Sequence, residues 1–260
     1  FRMIRTGKVK VNRKKKKQNY RLQQGDLVRV WEPSAPTTTP PLIDLSKSEQ
    51  ALVRDAIVFE DDDLILCSKP AGLVMHAGSS HSHGLTELVR AYTGNPQFNF
   101  VHRIDKMTAG LVMGAKNLAS SRNLTRLIRE HRIEKEYVVL VEGLVEEDHF
   151  SLHTFLKKEH ERVVEKADAE SGGKEARSEF TVLERGASRS LLRARLHTGR
   201  THQLRVQLAN IGHPIVGDRK YGKPGRETTM FLFSQRLVIP PLNVDFSLPI
   251  PDHFQSALQQ

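Results

Sequence analysis

An aspartate set among basic side chains, Asp105, is the residue of this chain whose type and position best suit chemistry. It follows residues 101–104, which predict a short strand, and it opens a turn that ends at Gly110. A carboxylate at such a junction is placed to face a cleft, and once ionised it can act as a nucleophile or stabilise a positive charge. Taken alone, the pattern favours a surface ion pair of Asp105 with Arg103 or Lys106, because such pairs are common and weak.

The chain carries a strong positive charge. Of its 260 residues, 40 are Lys or Arg and 30 are Asp or Glu, which gives a formal net charge of +10. This charge predicts binding to a polyanion, most simply a nucleic acid, with an affinity that falls as salt rises. The length suits one large domain and a small module, and the 38% of hydrophobic residues is enough for a core. No apolar run approaches the roughly 20 residues of a membrane span, so we expect no membrane insertion.

Cysteine usage favours a reducing compartment. Cys67 is the single cysteine, so an internal disulfide and a cysteine-based zinc site are excluded. We expect a cytoplasmic protein in which Cys67 is a small buried residue of an apolar strand at 64–67. The absence of a heptad pattern and of a long apolar edge predicts a monomer. Three adjacent aspartates at 61–63 lack the spacing of metal ligands and predict a solvated turn.

The N-terminal residues form a small basic unit. Residues 8–12 and 26–30 alternate like half-buried strands, and a lysine-rich loop lies between them. This loop is either a solvated hairpin loop or a loop that contacts phosphates. In the second case the candidate RNA-binding residues are Lys14, Lys15 and Lys16.

Composition divides the chain into three parts. We predict a module at 1–32, a linker at 33–51 whose first residues are rich in Pro and Thr, and a large domain at 52–260. In the large domain, predicted strands and helices are mixed without regular βαβ alternation, which predicts an α+β fold. The charged residues 157–176 predict an exposed excursion.

Two helices of the large domain have recognisable starts. Asn117 is the predicted N-cap of a helix that carries Leu124 and Leu127 at helical spacing. Thr201 is the predicted N-cap of a second helix, in which Leu204 follows soon after the cap.

Four short segments carry the polar residues of the large domain in a specific order. They are residues 69–76 (Lys-Pro-Ala-Gly-Leu-Val-Met-His), 102–105 (His-Arg-Ile-Asp), 134–137 (Glu-Lys-Glu-Tyr) and 198–206 (Thr-Gly-Arg-Thr-His-Gln-Leu-Arg-Val), the last continuing to Asp218. Each segment alone is a weak signal, but unrelated chains would not share all four in this order. Over most of residues 54–240, the chain resembles the RluA family of pseudouridine synthases.

This resemblance implies an RNA-modifying enzyme whose α+β catalytic domain has a mixed, largely antiparallel sheet. The family isomerises a uridine in RNA: the N1–C1′ glycosidic bond breaks, the uracil turns, and C5 bonds to C1′. The reaction needs no redox, nucleotide or metal cofactor, so we expect RNA as the partner and no cofactor.

The resemblance also implies three catalytic residues. It makes Asp105 the catalytic aspartate and places Arg205 beside it, where a guanidinium within about 4–6 Å would keep the acid ionised. Tyr137 matches the family's active-site tyrosine, whose ring can stack on a flipped uracil and whose hydroxyl can assist proton transfer at C5. Attack of the carboxylate at C1′, attack at the base and a glycal route all stay open.

Four further residues are candidates for RNA contacts. Arg103 matches an arginine that enters the space left by the flipped base or contacts the backbone. Arg200 and His202 lie near a predicted helix N-terminus and are candidate phosphate contacts. Lys69 is a weaker candidate that could instead shape the floor of the cleft.

The N-terminal residues 1–31 resemble the second half of an S4-type RNA-binding domain, whose helical first half would precede Phe1. Within the family, such a module is similar to that of the subgroup acting on large-subunit (23S) ribosomal RNA. Transfer RNA as the substrate, and a non-catalytic protein for ribosomal RNA binding or assembly, are the alternatives. A third alternative is an RNA glycosidase or nuclease. The glycosidase would need a second carboxylate beside Asp105, and the sequence suggests none.

Overall fold

A computed structural model describes residues 2–17, 19–31, 42–78, 82–222, 225 and 227–260. The chain divides into two compact units, Phe1–Pro41 and Leu42–Gln260. The Pro- and Thr-rich part of the predicted linker lies outside the described residues, and the assignment of the S4-like module stays a prediction.

The first unit contains a short helix and a two-stranded antiparallel sheet. These elements are α1 (Arg2–Arg5), β1 (Val9–Val11) and β2 (Val28–Val30). Both strands fall inside the predicted ranges. The loop between them is held by Asp26, which accepts hydrogen bonds from Asn12 Nδ2 at 2.6 Å and from the Tyr20 hydroxyl at 3.0 Å. Lys14 and Lys15 are exposed in this loop.

In the described part of the second unit, one sheet contains eleven strands. They are β3 (Ile57–Glu60), β4 (Leu64–Lys69), β5 (Asn99–Phe100), β6 (Ala109–Ala115), β7 (Glu134–Glu142), β8 (His149–Glu159), β9 (Arg162–Lys166), β10 (Lys174–Arg185), β11 (Arg189–Leu196), β12 (Leu232–Ile239) and β13 (Val244–Ser247). Their order is β3-β4-β6-β12-β7-β11-β10-β8-β9, with β5 beside β6 and β13 beside β12. Only β6 and β12 pair in parallel among these strands, which confirms the predicted mixed, largely antiparallel sheet.

Helices α2 to α6 accompany this sheet. They are α2 (Lys47–Ala56), α3 (Leu85–Thr93), α4 (Leu118–Arg129), α5 (Gln203–Asn210) and α6 (Asp252–Leu258). The start of α4 is as predicted: the Asn117 side chain accepts a hydrogen bond from the Ser120 N–H at 2.9 Å, and Leu124 and Leu127 are buried. None of the described helices is long and apolar enough to cross a membrane.

The start of α5 differs from the prediction, because Thr201 is not its N-cap. The Gln203 side chain accepts hydrogen bonds from the Thr198 hydroxyl at 2.8 Å and from the Arg200 N–H at 3.0 Å. These bonds fold residues 198–203 into a turn, so the helix begins only after His202, whose backbone is left-handed with φ of 54°.

Hydrophobic clusters cover both faces of the sheet, and alternate residues of β4 serve both. Ile65 and Cys67 belong to a cluster with α3 and α5, which we call the α3–α5 cluster, whereas Leu64 and Leu66 pack in a cluster with α4. This alternation is what a strand buried on both faces requires. The prediction that Cys67 is buried is confirmed.

The prediction of an exposed excursion at 157–176 is wrong in one respect. These residues extend the sheet through β9, which pairs with β8. Val163 of β9 is buried with Ala176 and with Val206 of α5. Arg162 and Glu165 of β9 are exposed, whereas Val163 packs against the helix that carries Arg205.

Candidate active site

Asp105 lies in the loop that leads into β6 and lines a cleft of about 470 Å³. The Thr108 N–H donates to the Asp105 carbonyl at 3.2 Å, and Ile104 is buried in the α3–α5 cluster. This hydrogen bond and the burial of Ile104 hold the backbone on either side of Asp105, while 21% of the Asp105 side chain remains exposed. The cleft brings three of the four sequence segments together, since Tyr137 of the third and Arg205 of the fourth also line it.

Arg205 connects Asp105 to a second, buried carboxylate. Its Nη1 donates to Asp105 Oδ2 at 2.9 Å, and its Nε and Nη2 donate to the two oxygens of Asp218, each at 2.8 Å. The Asp218 side chain is 1% exposed and also accepts the Lys220 N–H at 2.8 Å. A planar guanidinium suits such a paired arrangement, which a lysine ammonium could not reproduce.

The charges around Arg205 outweigh its burial. Burial by itself lowers the pKa of the guanidinium, but the hydrogen bonds and charges of Asp218 and then of Asp105 raise it, and the net pKa is raised. For Asp218, burial raises the pKa of the carboxyl. The hydrogen bond and charge of Arg205 lower it by more, so the net pKa is lowered. From the sequence, Asp218 is only the end of the fourth segment. An acid next to Gly217 in a basic chain was the signal available for its role.

Tyr137 is almost fully buried where β7 passes beneath the cleft. Burial raises the pKa of its hydroxyl to about 12, and the negative charge of Asp105 acts in the same direction. At neutral pH the phenol is therefore protonated. It can pack against a ring and donate a hydrogen bond, but in this state it is not a base.

Lys69 is not where RNA could contact it, and its prediction as an RNA-binding residue is corrected. The residue is 1% exposed, and its ammonium donates to the carbonyls of Pro70 at 2.9 Å, Leu73 at 2.9 Å and Lys106 at 3.0 Å. Burial lowers its pKa to about 8, against the opposing effect of Asp105. Lys69 instead ties the loop after Asp105 to the turn after β4, which agrees with the alternative role of shaping the cleft.

His202 lies against Asp105. Its Nε2 is 3.7 Å from Asp105 Oδ2, and its Nδ1 is 2.8 Å from the hydroxyl oxygen of Tyr221. Both ring nitrogens thus face protein groups, so this arrangement does not support the predicted phosphate contact. Tyr221 carries no signal in the sequence that predicts this contact.

A basic rim of Arg103, Arg129, Lys135 and Arg200 lines the same cleft. Among the described residues, none of these four has a carboxylate oxygen within 4.0 Å of its nitrogens. Arg103 and Arg200, both predicted RNA contacts, are exposed, and Arg200 donates through Nε to the Glu175 carbonyl at 2.7 Å. Burial lowers the pKa of Lys135. Cations without acidic partners at a cleft are suited to an anionic ligand.

Lys135 and Arg129 were missed by the sequence analysis, although Lys135 belongs to the third segment. It is two residues before Tyr137 on β7, so both side chains leave the strand on the same face. That spacing was the available signal.

Comparison with known proteins identifies the family of the chain. A sequence profile of the RNA pseudouridylate synthase family matches residues 63–210. The chain is 35% identical over 256 residues to ribosomal large subunit pseudouridine synthase C of Vibrio cholerae, covering 96% of this chain and 80% of that protein. It is 35% identical over 227 residues to the protein of the same name in Escherichia coli strain K12, with 85% and 70% covered.

The fold has solved relatives as well. Human RNA pseudouridylate synthase domain containing 1 superposes with a TM-score of 0.66 at 26% identity, covering 78% of this chain and 86% of that one. Human RNA pseudouridylate synthase domain containing 4 superposes with the same TM-score at 21% identity, which supports the fold alone. From the order of its segments, the cleft they line and these matches, the chain belongs to the RNA pseudouridylate synthase family, as the RluA-type resemblance predicted.

Proposed function

We propose that this protein isomerises specific uridines of large-subunit ribosomal RNA to pseudouridine, with Asp105 as its catalytic residue. The observation that carries the proposal is the 2.9 Å ion pair of Asp105 with Arg205 in a cleft rimmed by cations. A protein that only bound RNA would not need a carboxylate at the centre of such a cleft. The relatives named for the large ribosomal subunit support the choice of substrate.

The proposed reaction moves no atoms in or out of the RNA. The N1–C1′ bond breaks and the C5–C1′ bond forms, while C5 loses its proton and N1 ends with one. The Asp105 carboxylate either attacks as a nucleophile or stabilises positive charge at C1′, and it is placed to take up a proton afterwards. The protonated Tyr137 packs against the uracil and donates a hydrogen bond to it.

RNA binding in this proposal depends on the basic rim. A uridine inside folded RNA must leave its stack before its C1′ can reach Asp105, and a protein side chain must compensate for the lost stacking. Arg103, exposed and two residues before Asp105, takes that role, and Arg200 and Lys135 contact backbone phosphates. Ribosomal RNA as substrate implies a cytoplasmic protein, which we propose acts as a monomer.

The test replaces Asp105 by asparagine, which keeps the shape of the side chain but removes its charge. In cells that lack the native enzyme, we expect wild type to restore specific pseudouridines, mapped by carbodiimide labelling and primer extension. We expect D105N to restore none while it binds the same RNA with a dissociation constant within about threefold of wild type, because the phosphate contacts remain.

The matched control is Asp62→Asn, an exposed aspartate of the turn between β3 and β4, which we expect to behave as wild type. Full activity of D105N would remove Asp105 from the chemistry. Equal loss of binding and activity would make it a structural residue. Sites restored only in transfer RNA would keep the reaction and refute the proposed substrate.

A further inference from the structure

His202 is held in a contact chain that starts in the outer part of the sheet and ends at Asp105. The Val163 N–H of β9 donates to the Tyr221 hydroxyl oxygen at 2.9 Å. The same oxygen is 2.8 Å from His202 Nδ1, and His202 Nε2 is 3.7 Å from Asp105 Oδ2. Only 17% of the His202 side chain is exposed.

This contact chain favours one position for the proton of His202. The Tyr221 oxygen already accepts the Val163 N–H, and among the described residues His202 Nδ1 is the one acceptor within reach of its own proton. The phenol therefore donates to Nδ1, which must then be unprotonated. In a neutral imidazole the proton lies on the other nitrogen, Nε2, which faces Asp105.

The surroundings favour a neutral ring. Burial lowers the pKa of His202. Asp105 raises it, Arg205 and Lys220 lower it, and Asp218 raises it, with a net decrease. Near neutral pH the group facing Asp105 is therefore an uncharged N–H.

The two oxygens of Asp105 consequently have different surroundings. Oδ2 accepts the Arg205 Nη1–H at 2.9 Å and faces His202 Nε2. No described residue donates a hydrogen bond to Oδ1. One oxygen is held by the protein, and the other accepts no hydrogen bond from the described residues.

We propose that Tyr221 fixes His202 as the Nε2–H tautomer, that His202 and Arg205 together hold Asp105 through Oδ2, and that Oδ1 is the oxygen that reacts with the uridine. His202 is thus a positioning residue and not a phosphate contact. The assignment of Oδ1 rests on the proposed function, whereas the tautomer of His202 does not.

The backbone of His202 supports this role. Its φ of 54° lies in the left-handed region, which is uncommon for residues other than glycine but which histidine enters more often than most, as His131 and His160 also do here. Such conformations persist where the surrounding structure imposes them, often at functional sites. Here it places the side chain of the residue before α5 against Asp105, with Tyr221 packed edge-on to it at 5.5 Å between ring centroids.

The first measurement is nitrogen NMR on the full-length protein labelled with ¹⁵N-histidine, because the two tautomers give distinct nitrogen shifts. The His202 signals are assigned by their loss in His202→Gln. We expect an unprotonated Nδ1 and a protonated Nε2 in wild type at pH 7. We expect a mixture of tautomers in Tyr221→Phe, which loses the hydroxyl but keeps the ring that packs under Arg205 at 5.2 Å. A wild-type ring protonated on Nδ1, or on both nitrogens, overturns the proposal whether or not the protein is active.

The second measurement separates positioning from RNA binding. In single-turnover assays on the RNA that wild type modifies, we expect Tyr221→Phe to lower the rate roughly tenfold, the effect of losing one hydrogen bond. Its RNA dissociation constant should stay within twofold of wild type. His202→Gln, whose amide N–H can reach Asp105, should keep more activity than His202→Leu.

The control is Tyr92→Phe, a tyrosine exposed on α3, which should match wild type in rate and binding. A His202→Leu variant with an unchanged rate but weakened, salt-sensitive RNA binding would identify His202 as a phosphate contact and overturn the proposal. An unchanged rate in Tyr221→Phe would show that Tyr221 does not act on the reaction through His202, and would also overturn the proposal. If wild type modifies no RNA, the proposed function fails, and the NMR result still decides the tautomer.

Discussion

Two buried cations lie near Asp105, and their charges are compensated by different kinds of group. On the α5 side, Arg205 is paired with the carboxylates of Asp105 and Asp218. On the β4 side, Lys69 donates to three backbone carbonyls and forms no ion pair with the described carboxylates. A buried charge must be compensated, but backbone carbonyls and carboxylates do so with different consequences.

The difference separates electrostatics from geometry at the site. Arg205 is bonded to the carboxylate that we propose reacts, so its charge acts on every state of Asp105 along the proposed reaction. Lys69 is bonded to the backbone of the loop after Asp105, so it fixes where the carboxylate lies. We therefore expect changes at Arg205 to act mainly on the rate, and changes at Lys69 to act mainly on folding stability.

The largest effect is expected for Arg205→Lys. Lysine keeps the charge, but its three N–H groups share one nitrogen and cannot reproduce the planar fork that reaches Asp105 and both oxygens of Asp218 at once, so Asp218 is left buried with an incomplete partner. We expect the single-turnover rate to fall on the order of 100-fold or more, a barrier increase of about 3 kcal/mol. Circular dichroism and urea unfolding measure how much of the loss comes from folding.

A surface arginine of the same geometry provides the control. Arg236 donates to both oxygens of Asp245 at 2.8 and 2.6 Å, but this pair is solvated. Arg236→Lys should change the rate less than twofold and the unfolding free energy by less than about 1 kcal/mol. Equal rates for Arg205→Lys and wild type would mean that the charge of residue 205 is sufficient and that its geometry is not needed.

A smaller effect on the rate, with a clear effect on stability, is expected for Lys69→Met. Methionine fills a similar volume but leaves the partly buried carbonyls of Pro70 and Leu73 without this donor, while the Lys106 carbonyl keeps the Gly72 N–H, so the unfolding free energy should fall by roughly 2–3 kcal/mol at pH 7. The exposed Lys158→Met is the control and should change it little. A stable Lys69→Met variant with a 100-fold lower rate would show that the charge of Lys69, like that of Arg205, acts on the reaction.

The pH dependence of the same variant gives the sign of the Lys69 effect. The pKa of Lys69 is about 8 in the folded protein and near its ordinary value of 10.5 when unfolded. Between these values the unfolded chain binds more protons, so the Lys69 contribution to the unfolding free energy rises with pH, by at most about 3 kcal/mol. The difference between wild type and Lys69→Met isolates this contribution from the other titrating groups. No change in that difference between pH 7 and 10.5 would contradict the lowered pKa.

The sequence predicted the members of the site better than their arrangement. The order of four segments was enough to name Asp105, Tyr137 and Arg205, and all three line one cleft. The α+β class and the antiparallel sheet followed from strand patterns and from the resemblance. These features depend on local periodicity or on residues whose order along the chain is itself the signal.

Features that depend on long-range partners were not predictable from the sequence. A lysine beside a proline gives no sign of whether it is buried, so Lys69 was assigned to RNA instead of to the carbonyl of Lys106, 37 residues away. The contact of Tyr221 with Val163 joins residues that are 58 positions apart in the sequence. Val163 lies in the region 157–176, whose charge alone suggested exposure to solvent. Thr201 is a plausible N-cap by residue type. The Gln203 side chain, however, accepts the Arg200 N–H within this turn, and the helix begins only after His202.

The smallest effect is expected in the first unit. If the loop between β1 and β2 contacts phosphates, a triple Lys14→Ala, Lys15→Ala and Lys16→Ala variant should weaken RNA binding about 5- to 10-fold and leave the rate at saturating enzyme unchanged. Each lost phosphate contact should also reduce the slope of log K against log salt by about 0.7–0.9. Filter binding over a range of salt concentrations measures both quantities.

A variant of equal net charge decides whether the loop itself matters. Lys47, Lys158 and Lys174 are exposed lysines of the second unit, and their triple alanine variant removes the same three charges. General attraction of RNA by a chain of charge +10 would make the two variants equally weak and equally salt-sensitive. A larger loss for the loop variant would instead assign specific contacts to it. Lys14 and Lys15 should account for most of that loss, because Lys16 lies 4.4 Å from the Tyr20 ring centroid and is partly committed to this contact.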